Sequence, residues 1–430
     1  MKIKKLVIEN IKSFKDKTEI NLSENLNIFV GPNAGGKSNL LDIITITLRH
    51  FFVQFYRVNR GQEVWGWFED IDKPNLFHPI NNFLEKYLGN EVNTSLIEIT
   101  FIISKEDVKN INLLRSNKEK LENGLKDYRN RPISNFNILD SWNTEDISEN
   151  KELTFTIRDL NLNTPTDVPS KTLLGYLNYY ELFLILGAKN KDFWLSPPFI
   201  YFSPYRLFSQ TNLLANLSGL NFNESMLRYF QSTSKSTATL IDLSLYRVAE
   251  KRRYYELEGG DFHKRFKQDK EILLLTNYFN KLGYNWDVEC VDPMRNLYEV
   301  MIERSGKKFS IVQASSGEKE ILNFLLGIFA FNIKDGLVII DEPELHLHPK
   351  WQTILIDLFQ ELSRTHKNQF VIVSHSPVFI NERTIENLFR VYREHEISKL
   401  IQPEQSLLPA VKDLLHIINT LNNEKIFFCR

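Results

Sequence analysis

A short apolar run followed by a glycine-rich loop constrains the fold of this 430-residue chain more than any other feature. The run Leu26–Val30 has the length and composition of a buried strand. Residues 31–38 read Gly-Pro-Asn-Ala-Gly-Gly-Lys-Ser and fit the pattern G-x-x-x-x-G-K-[S/T]. The apolar positions from Asn39 to about Phe55 indicate a helix. Strand, loop and helix in this order predict an α/β domain with a phosphate-binding loop.

The residue types of this loop suit a nucleoside triphosphate and magnesium. Backbone N–H groups of a glycine loop and of a helix N-terminus can point at a β-phosphate. Lys37 would reach the β- and γ-phosphates, and the Ser38 hydroxyl would hold Mg²⁺. The expected contacts with ATP are Gly31, Asn33, Gly35, Gly36, Lys37, Ser38 and Asn39. The alternative is a glycine-rich turn that carries a Lys-Ser pair by chance.

Two apolar runs in the second half of the chain end in polar residues. Residues 337–340 lead into Asp341, which would bind Mg²⁺ through water. Glu342 follows directly and is placed to polarise an attacking water as a general base. Residues 370–373 lead towards His375, which could hydrogen-bond a γ-phosphate. A solvated strand end and a structural histidine are the alternatives.

A serine-rich stretch precedes an apolar helix that we expect from about residue 321. Residues 315–319 read Ser-Ser-Gly-Glu-Lys, and Ser315 with Glu318 fits a capping box, which is a purely local reason for the pattern. In the functional alternative, the free N–H groups of the same helix start and a serine hydroxyl would grip a γ-phosphate. The residues expected to do so are Ser316, Gly317 and Glu318.

The order of strands and helices predicts the domain organisation. Buried strands alternate with helices near both ends of the chain, which indicates a mostly parallel sheet. Short alternating segments indicate antiparallel strands in the N-terminal part. The long polar stretch between the two halves indicates an inserted, mainly helical lobe. The expected domains are the two halves of an ATP-binding head, 1–104 and 286–425, and the insertion, 105–285.

These motifs occur in the order seen in ABC-type ATPases, which the chain resembles. Three stretches narrow the resemblance to the RecF/OLD-like branch: Ser-Ser-Gly-Glu-Lys, Asp-Glu-Pro-Glu-Leu-His-Leu-His-Pro at residues 341–349, and Ser-His-Ser-Pro at residues 374–377. The start of the chain, Lys-Ile-Lys-Lys-Leu-Val-Ile-Glu-Asn-Ile-Lys-Ser-Phe, is also similar to that branch. The branch includes the OLD nucleases and the ATPase subunits of phage-defence systems such as Septu and PARIS.

The resemblance covers about residues 1–104 and 286–425 and includes two departures from the family pattern. Ala34 stands where glycine is common. Glu318 and Lys319 replace the Gly-Gln of transporter-type signatures, a substitution that this branch often shows.

The resemblance implies a homodimer and the hydrolysis of ATP, with Mg²⁺ as the metal. Ser316 and Gly317 of one protomer would close on the nucleotide bound at residues 31–38 of the other. Residues 341–346 would lie at that interface, and the two nearby histidines, His346 and His348, fit such a contact better than a zinc site. Higher oligomers are compatible with this arrangement.

The resemblance also implies a role as the sensor or scaffold of an antiphage complex that controls a nuclease or toxin effector, of Toprim or HNH type. The alternatives are a RecF-like DNA-repair ATPase and a nucleotide-gated scaffold with little hydrolysis. Residues 422–430 resemble the linker and first strand that lead into a Toprim domain in OLD proteins, with 426–430 as its start; an ordinary C-terminal tail is the alternative. Nuclease activity is therefore expected in a further domain or a separate subunit, not in this chain.

The distribution of charge bears on whether the chain binds nucleic acid. The net charge of −1 gives no global basic field, although one local cluster combines basic and aromatic residues. Such a cluster suits contact with a nucleic-acid backbone and stacking on bases, and a solvated helix face or a subunit contact is the alternative. The cluster comprises Lys251, Arg252, Arg253, Tyr254, Tyr255, Phe262, Lys264, Arg265, Phe266, Lys267 and Lys270.

The remaining sequence features concern the cellular compartment. The chain has two cysteines, Cys290 and Cys429, and these form neither a disulfide framework nor a Cys-x-x-Cys pair. No signal peptide and no apolar run of about twenty residues is present in the sequence. We therefore expect a cytoplasmic protein without a membrane partner.

Overall fold

The computed structural model describes residues 1–52, 94–119, 147–159, 161–163, 165–189, 195–204, 214–217, 238–330 and 333–402. Two predictions lie outside the described residues. They concern the end of the first helix at 53–55 and the Toprim-like segment at 422–430.

The described strands and helices follow one another in the order β1 (Lys2–Glu9), β2 (Thr18–Asn21), β3 (Leu26–Val30), α1 (Lys37–Phe52), β4 (Leu96–Ile102), α2 (Lys105–Ser116), β5 (Glu152–Arg158), β6 (Asn161–Leu162), α3 (Val168–Lys189), β7 (Phe199–Phe202), β8 (Ala215–Asn216), α4 (Ala238–Glu258), α5 (Phe262–Gln268), α6 (Lys270–Lys281), β9 (Asn285–Asp292), β10 (Leu297–Arg304), β11 (Lys307–Ser310), α7 (Ser316–Ala330), β12 (Leu337–Asp341), α8 (Pro349–His366), β13 (Gln369–Ser374), β14 (Leu388–Glu394) and β15 (Ile397–Ile401).

The chain divides into two compact units. The first contains Met1–Lys118, Ile133–Tyr179 and Lys334–Arg430, and the second contains Glu119–Pro132 and Tyr180–Ile333. The sequence analysis predicted bounds for an ATP-binding head and an inserted lobe. These two compact units do not test those domain bounds, which stay a prediction.

A mostly parallel sheet lies at the centre of the first unit. Five strands of this unit follow the order β15-β14-β3-β13-β12; β15 is antiparallel to β14, and the other neighbours are parallel. Every residue of β3, β12 and β13 is buried, as expected for parallel strands that are covered on both faces. Phe29 of β3 stacks on Phe389 of β14 with 4.7 Å between the ring centroids. The predicted α/β class with a mostly parallel core sheet is confirmed.

A second sheet of the first unit is antiparallel, in the order β2-β1-β4-β5-β6. This confirms the antiparallel N-terminal strands. Alternate residues of β5, namely Leu153, Phe155 and Ile157, are buried, and the Phe155 ring lies 5.3 Å from that of Phe51 in α1. Strand β5 lies within 105–285, the range expected for the inserted lobe, and its apolar alternation pairs it with β4 in this sheet.

The described part of the second unit combines helices α4 to α7 with an antiparallel sheet. Strand β10 pairs with β8, β9 and β11. The ring of Phe279 stacks on Trp286 with 5.1 Å between centroids, and Phe266 meets the same indole edge-on. Helix α7 begins at Ser316, five residues before the expected start near 321, so the serine-rich stretch forms the first turn of the helix.

Candidate nucleotide site

Three of the sequence motifs meet at one edge of the core sheet. The parallel register places Val30 beside Ser374 and Asp341 beside Val373. The glycine loop that follows β3 therefore leaves the sheet next to the residues that follow β13 and β12. Because the carboxyl ends of parallel strands share one edge, the sheet brings the loop, Asp341 and His375 together, as a ligand site at such an edge requires.

The glycines of the loop are needed because the hairpin of β14 and β15 lies against them. A β-carbon on Gly31 would lie 1.9 Å from the main-chain oxygen of Val391. Gly36 has a φ of +109°, and a β-carbon there would lie 2.1 Å from Oγ of Ser398. Neither position has room for a side chain. Ala34 adopts a left-handed φ of 59°, which explains why glycine suits this position in related loops.

Lys37 is the buried cation of the site, with 3% of its surface exposed. Its Nζ donates to the carbonyl oxygens of Gly31 and Pro32, each at 2.9 Å. It also lies 3.3 Å from Nδ1 of His375. Burial lowers the pKa of Lys37, and the nearby carboxylates of Glu342 and Glu344 act in the opposite direction. An ammonium group can only donate, so Nδ1 of His375 is the acceptor in this contact.

The same histidine connects Lys37 with the proposed general base. Nε2 of His375 lies 3.4 Å from Oε1 of Glu342, and both side chains are about one-third exposed. The main chain of Glu342 has a left-handed φ of 49°, and its N–H donates to Val373 at 2.8 Å. Such a conformation is costly for a residue with a side chain and is found disproportionately at functional sites. Asp341, just before it, is buried with 3% exposure.

The other predicted residues of the loop have different surroundings. Asn33 and Ser38 are exposed. The side chain of Asn39 donates to Oγ of Ser13 at 2.7 Å, so its amide is engaged within the protein. Ser13 in turn receives a bond from Oγ of Ser398 at 2.8 Å, and Ser398 also lies 3.0 Å from the Gly35 oxygen. These two buried serines, which the sequence interpretation missed, tie the loop to β15.

Glu344 is a further residue of this edge that sequence reasoning did not single out. It lies in the turn after β12, three positions beyond Asp341. Its Oε1 accepts a hydrogen bond from the main-chain N–H of His375. The acidic residue after Asp-Glu-Pro was a visible signal, but nothing in the sequence indicated the direction of its carboxylate.

The serine-rich stretch, which lies in the second unit, has the geometry of a capping box. The main-chain N–H and the hydroxyl of Ser315 both donate to Oε2 of Glu318 at 2.8 Å. The other oxygen of Glu318 accepts from Arg304 at 3.1 Å and from the hydroxyl of Tyr284. Burial and the Glu318 carboxylate raise the pKa of Tyr284.

Both oxygens of Glu318 are thus engaged in holding the helix start. At the same start, Ser316 is exposed and Gly317 is half-buried. The local reason for the motif is therefore present in the structure, and the expected nucleotide contacts of Ser316, Gly317 and Glu318 stay a prediction.

The basic cluster consists largely of cations that have acidic partners within the second unit. Lys251 lies 3.0 Å from Asp269 and 2.7 Å from Glu271. Arg252 pairs with Glu256 at 3.0 Å and stacks over the ring of Phe262 at 4.6 Å. Further pairs join Arg265 to Glu258 and Lys267 to Asp287. Lys264 and Lys270 are exposed, and Arg253 is half-buried. Nucleic-acid binding by this cluster stays a prediction.

The donor groups at the sheet edge fit a magnesium ion held mainly through a nucleotide. Among the described residues, no three or more His, Cys, Asp or Glu side chains form a group that could hold a metal by themselves. Magnesium in phosphate-transfer sites commonly takes only one or two protein oxygens besides phosphate and water. The Asp341 carboxylate and the Ser38 hydroxyl are oxygen donors of this kind. His348 instead caps α8, where its Nδ1 accepts from Lys350 at 3.3 Å.

No helix within the described ranges combines the length and the apolar character needed to cross a membrane.

The comparison with family models decides the classification. The family AAA_15, described as an AAA ATPase domain, matches residues 1–380. The chain belongs to this family. The match includes the glycine loop, the Asp341-Glu342 pair and His375, so the residues brought together at the sheet edge all lie within the ATPase domain.

Relatives among characterised proteins support the resemblance to the RecF/OLD-like branch. The retron Vc95 probable ATPase of Vibrio cholerae serotype O1 biovar El Tor is 31% identical over 27% of this chain and 25% of its own length. The OLD nuclease of Thermus scotoductus is 30% identical over 22% of this chain and 19% of its own length. The Septu protein PtuA of Bacillus thuringiensis is 28% identical over 28% of this chain and 33% of its own length. The chain thus spans a third or less of each relative. The predicted OLD-like resemblance is confirmed.

Among solved structures, an SMC head bound to the C-winged helix domain of ScpA shares 14% identity and a TM-score of 0.45, over 94% of this chain and 98% of that one.

Proposed function

We propose that this chain binds ATP at the glycine loop and hydrolyses it with Mg²⁺. The observation that carries the proposal is the contact chain from Lys37 through His375 to Glu342, with gaps of 3.3 and 3.4 Å. It connects the cation expected on the phosphates with the carboxylate expected to activate water. A chance Lys-Ser pair after a glycine turn gives no reason for this arrangement.

Each residue has a distinct role in the proposed reaction. Lys37 stabilises the negative charge on the β- and γ-phosphates. It now donates to two neutral carbonyls, and phosphate oxygens are stronger acceptors because they are charged, so the amine is expected to exchange partners on binding. Ser38 and Asp341 would hold Mg²⁺, which neutralises phosphate charge when bound. Glu342 accepts a proton from the attacking water, and His375 hydrogen-bonds the γ-phosphate.

The test of nucleotide binding uses Lys37→Ala. Titration calorimetry with ATP should show binding to the parent protein and a loss of about 100-fold or more in the variant, on the scale of removing a preorganised charged contact. Lys109→Ala is the matched control, since this lysine lies on α2 in the same unit with 65% of its side chain exposed. Equal ATP affinity in parent and Lys37→Ala would overturn the site assignment.

The proposed assembly is a homodimer with two shared sites, in which Ser316 and Gly317 of one protomer complete the ATP pocket of the other. Such an interface is isologous, so each protomer supplies one loop and one serine-rich helix start. Ser316→Arg should block closure through bulk and charge, while ATP binding to the intact loop of a single protomer is retained.

Mixing variants tests this shared site. A dimer of one Ser316→Arg and one Lys37→Ala protomer keeps one intact composite site, so about half of the activity per mixed dimer could return. The purely capping role predicts no return of activity, because the defect stays within each chain. Subunit exchange is checked with labelled protein, and a covalently linked mixed dimer tests whether both sites must act together. If a linked dimer of one parent and one Lys37→Ala half is active, an inactive linked dimer of one Ser316→Arg and one Lys37→Ala half would count against the shared site.

The proposed biological role is control of a nuclease or toxin effector in an antiphage complex. It rests on similarity to the retron ATPase, the OLD nuclease and the Septu protein. Co-purification of the chain with the product of the neighbouring gene, in the presence and absence of ATP, tests this role. A nucleotide-dependent complex with a nuclease supports it. A complex with replication or repair proteins instead favours the RecF-like alternative.

A further inference from the structure

The two oxygens of Glu344 have different surroundings. Oε1 accepts a hydrogen bond from the main-chain N–H of His375 at 2.5 Å. Oε2 is buried and has no hydrogen-bond partner among the residues that the structure describes. A buried acceptor without a partner is costly, and such a group in a native protein requires an explanation, such as a catalytic role or a bound water or ion. Glu344 therefore differs from Glu318, both of whose oxygens are engaged.

The bonded oxygen fixes the position of His375. It joins the turn after β12 to the residue that follows β13, so the two segments that carry Glu342 and His375 are tied directly. The imidazole meets Lys37 on one side and Glu342 on the other, at 3.3 and 3.4 Å. A shift of the main chain at His375 would disturb both contacts at once.

Glu344 belongs to the charged part of the site, because its bonded partner His375 contacts both Lys37 and Glu342. Burial lowers the pKa of the Lys37 amine, and the Glu344 carboxylate is one of the nearby charges that act in the opposite direction. It accepts hydrogen bonds but cannot donate them when ionised. The donor that satisfies it must therefore carry an N–H or O–H group, and the water molecules around a nucleotide-bound Mg²⁺ are such donors.

We propose that Glu344 is a positioning residue of this site, which holds the main chain of His375 with one oxygen and accepts a hydrogen bond from a magnesium-bound water with the other. The inference rests on the proposed ATP site and adds a residue to it. It assigns Glu344 to orienting groups around the metal and not to the transfer of a proton.

Two substitutions distinguish the roles of the two Glu344 oxygens. Glu344→Gln keeps a carbonyl oxygen that can accept from the His375 N–H, but it removes the charge and puts an NH₂ donor at the other position. Glu344→Ala removes both acceptors. Glu152→Gln is the matched control, because Glu152 pairs with Lys4 on the antiparallel sheet of the same unit and is about half-exposed.

The experiment measures the affinity for the non-hydrolysable analogue AMP-PNP, once with Mg²⁺ and once with EDTA. Glu344→Gln should weaken binding of the magnesium complex by about tenfold or more, the usual scale for residues that orient metal ligands, and leave metal-free binding within about twofold. Glu344→Ala should weaken both, since His375 is also released. Thermal melting of each variant verifies folding, and the glutamine variant carries the test if the alanine variant does not fold.

Each result has one consequence. Unchanged magnesium-dependent affinity in Glu344→Gln overturns the role of the second oxygen. Identical metal-free affinities in the alanine and glutamine variants overturn the positioning of His375. Failure of the underlying site is recognised separately, because Lys37→Ala would then bind AMP-PNP as tightly as the parent protein.

Discussion

The sheet edge in the first unit and the basic cluster in the second unit both collect charged side chains, but they use them differently. At the sheet edge, the Lys37 ammonium is held by neutral carbonyls and a histidine. In the cluster, the Lys251 ammonium is held by two carboxylates, Asp269 and Glu271. The first arrangement leaves the cation able to exchange weak partners for phosphate. The second neutralises it within the protein.

This difference shows why a motif with fixed spacing is better evidence for a site than a cluster of similar residues. The loop pattern specifies the backbone as well as the cation, and the glycines permit contacts such as that between Gly36 and Ser398. A run of lysines and arginines specifies no geometry, so acidic residues of the same helices can satisfy it.

The largest effect is expected for Glu342→Gln. Loss of a general base should slow ATP hydrolysis by about 10²- to 10⁴-fold, while ATP binding is kept because the loop is unchanged. Single-turnover phosphate release measures the rate, and light scattering should show a dimer that persists with ATP. Hydrolysis at the parent rate would mean that Glu342 is not the general base, or that chemistry does not limit the measured rate.

A smaller effect is expected for Gly36→Ala, which tests the contact between the loop and β15. The positive φ of this position is strained for alanine, and the added β-carbon would also overpack against Ser398. The overpacking alone should lower the free energy of unfolding by about 1–3 kcal/mol. Gly283→Ala is the control, because its φ of +81° is also positive and no described residue has a heavy atom within 4 Å of the position of the added β-carbon, its chain neighbours apart. Chemical denaturation of both variants should separate clash from backbone strain; equal losses would contradict the contact.

The smallest effect is expected in the basic cluster. Lys251→Gln should reduce stability by about 1 kcal/mol, the scale of a partly exposed ion pair, and should leave DNA affinity unchanged because this cation is already neutralised. Fluorescence anisotropy with a duplex, over a range of salt concentrations, gives the affinity. Lys264→Gln, at an exposed position, is the comparison. If Lys251→Gln lost DNA affinity and Lys264→Gln did not, Lys251 would be available to DNA, and the contrast between the sheet edge and the basic cluster would be wrong.

Local patterns predicted most of the elements that build the site. The mainly apolar runs at β3, β12 and β13 identified buried parallel strands, and the order of the chain placed their polar ends together. With the loop placed on β3, Asp341 and His375 were assigned from their positions after two further apolar runs and from the order of the motifs, and their roles stay predictions.

What the sequence did not predict depends on contacts between distant segments. The pairing of Ser13 with Ser398 spans 385 positions, and no local pattern indicates it. The direction of the Glu344 carboxylate depends on the main chain of His375, 31 positions later. The apolar pattern alone placed the start of α7 too late, although the predicted capping box of Ser315 and Glu318 marked the observed start.

The central position of β3 has a consequence for how the site is assembled during synthesis. Asn27 in this strand donates to the main chain of Phe370, 343 positions later, and β14 flanks the strand on its other side. A ribosome releases β3 long before either neighbour exists. The glycine loop thus has no sheet to lie on until nearly the whole described chain has been translated, and such late, non-local strand pairing slows folding and exposes apolar segments meanwhile. We expect the nascent N-terminal half to depend on chaperones until β13 emerges.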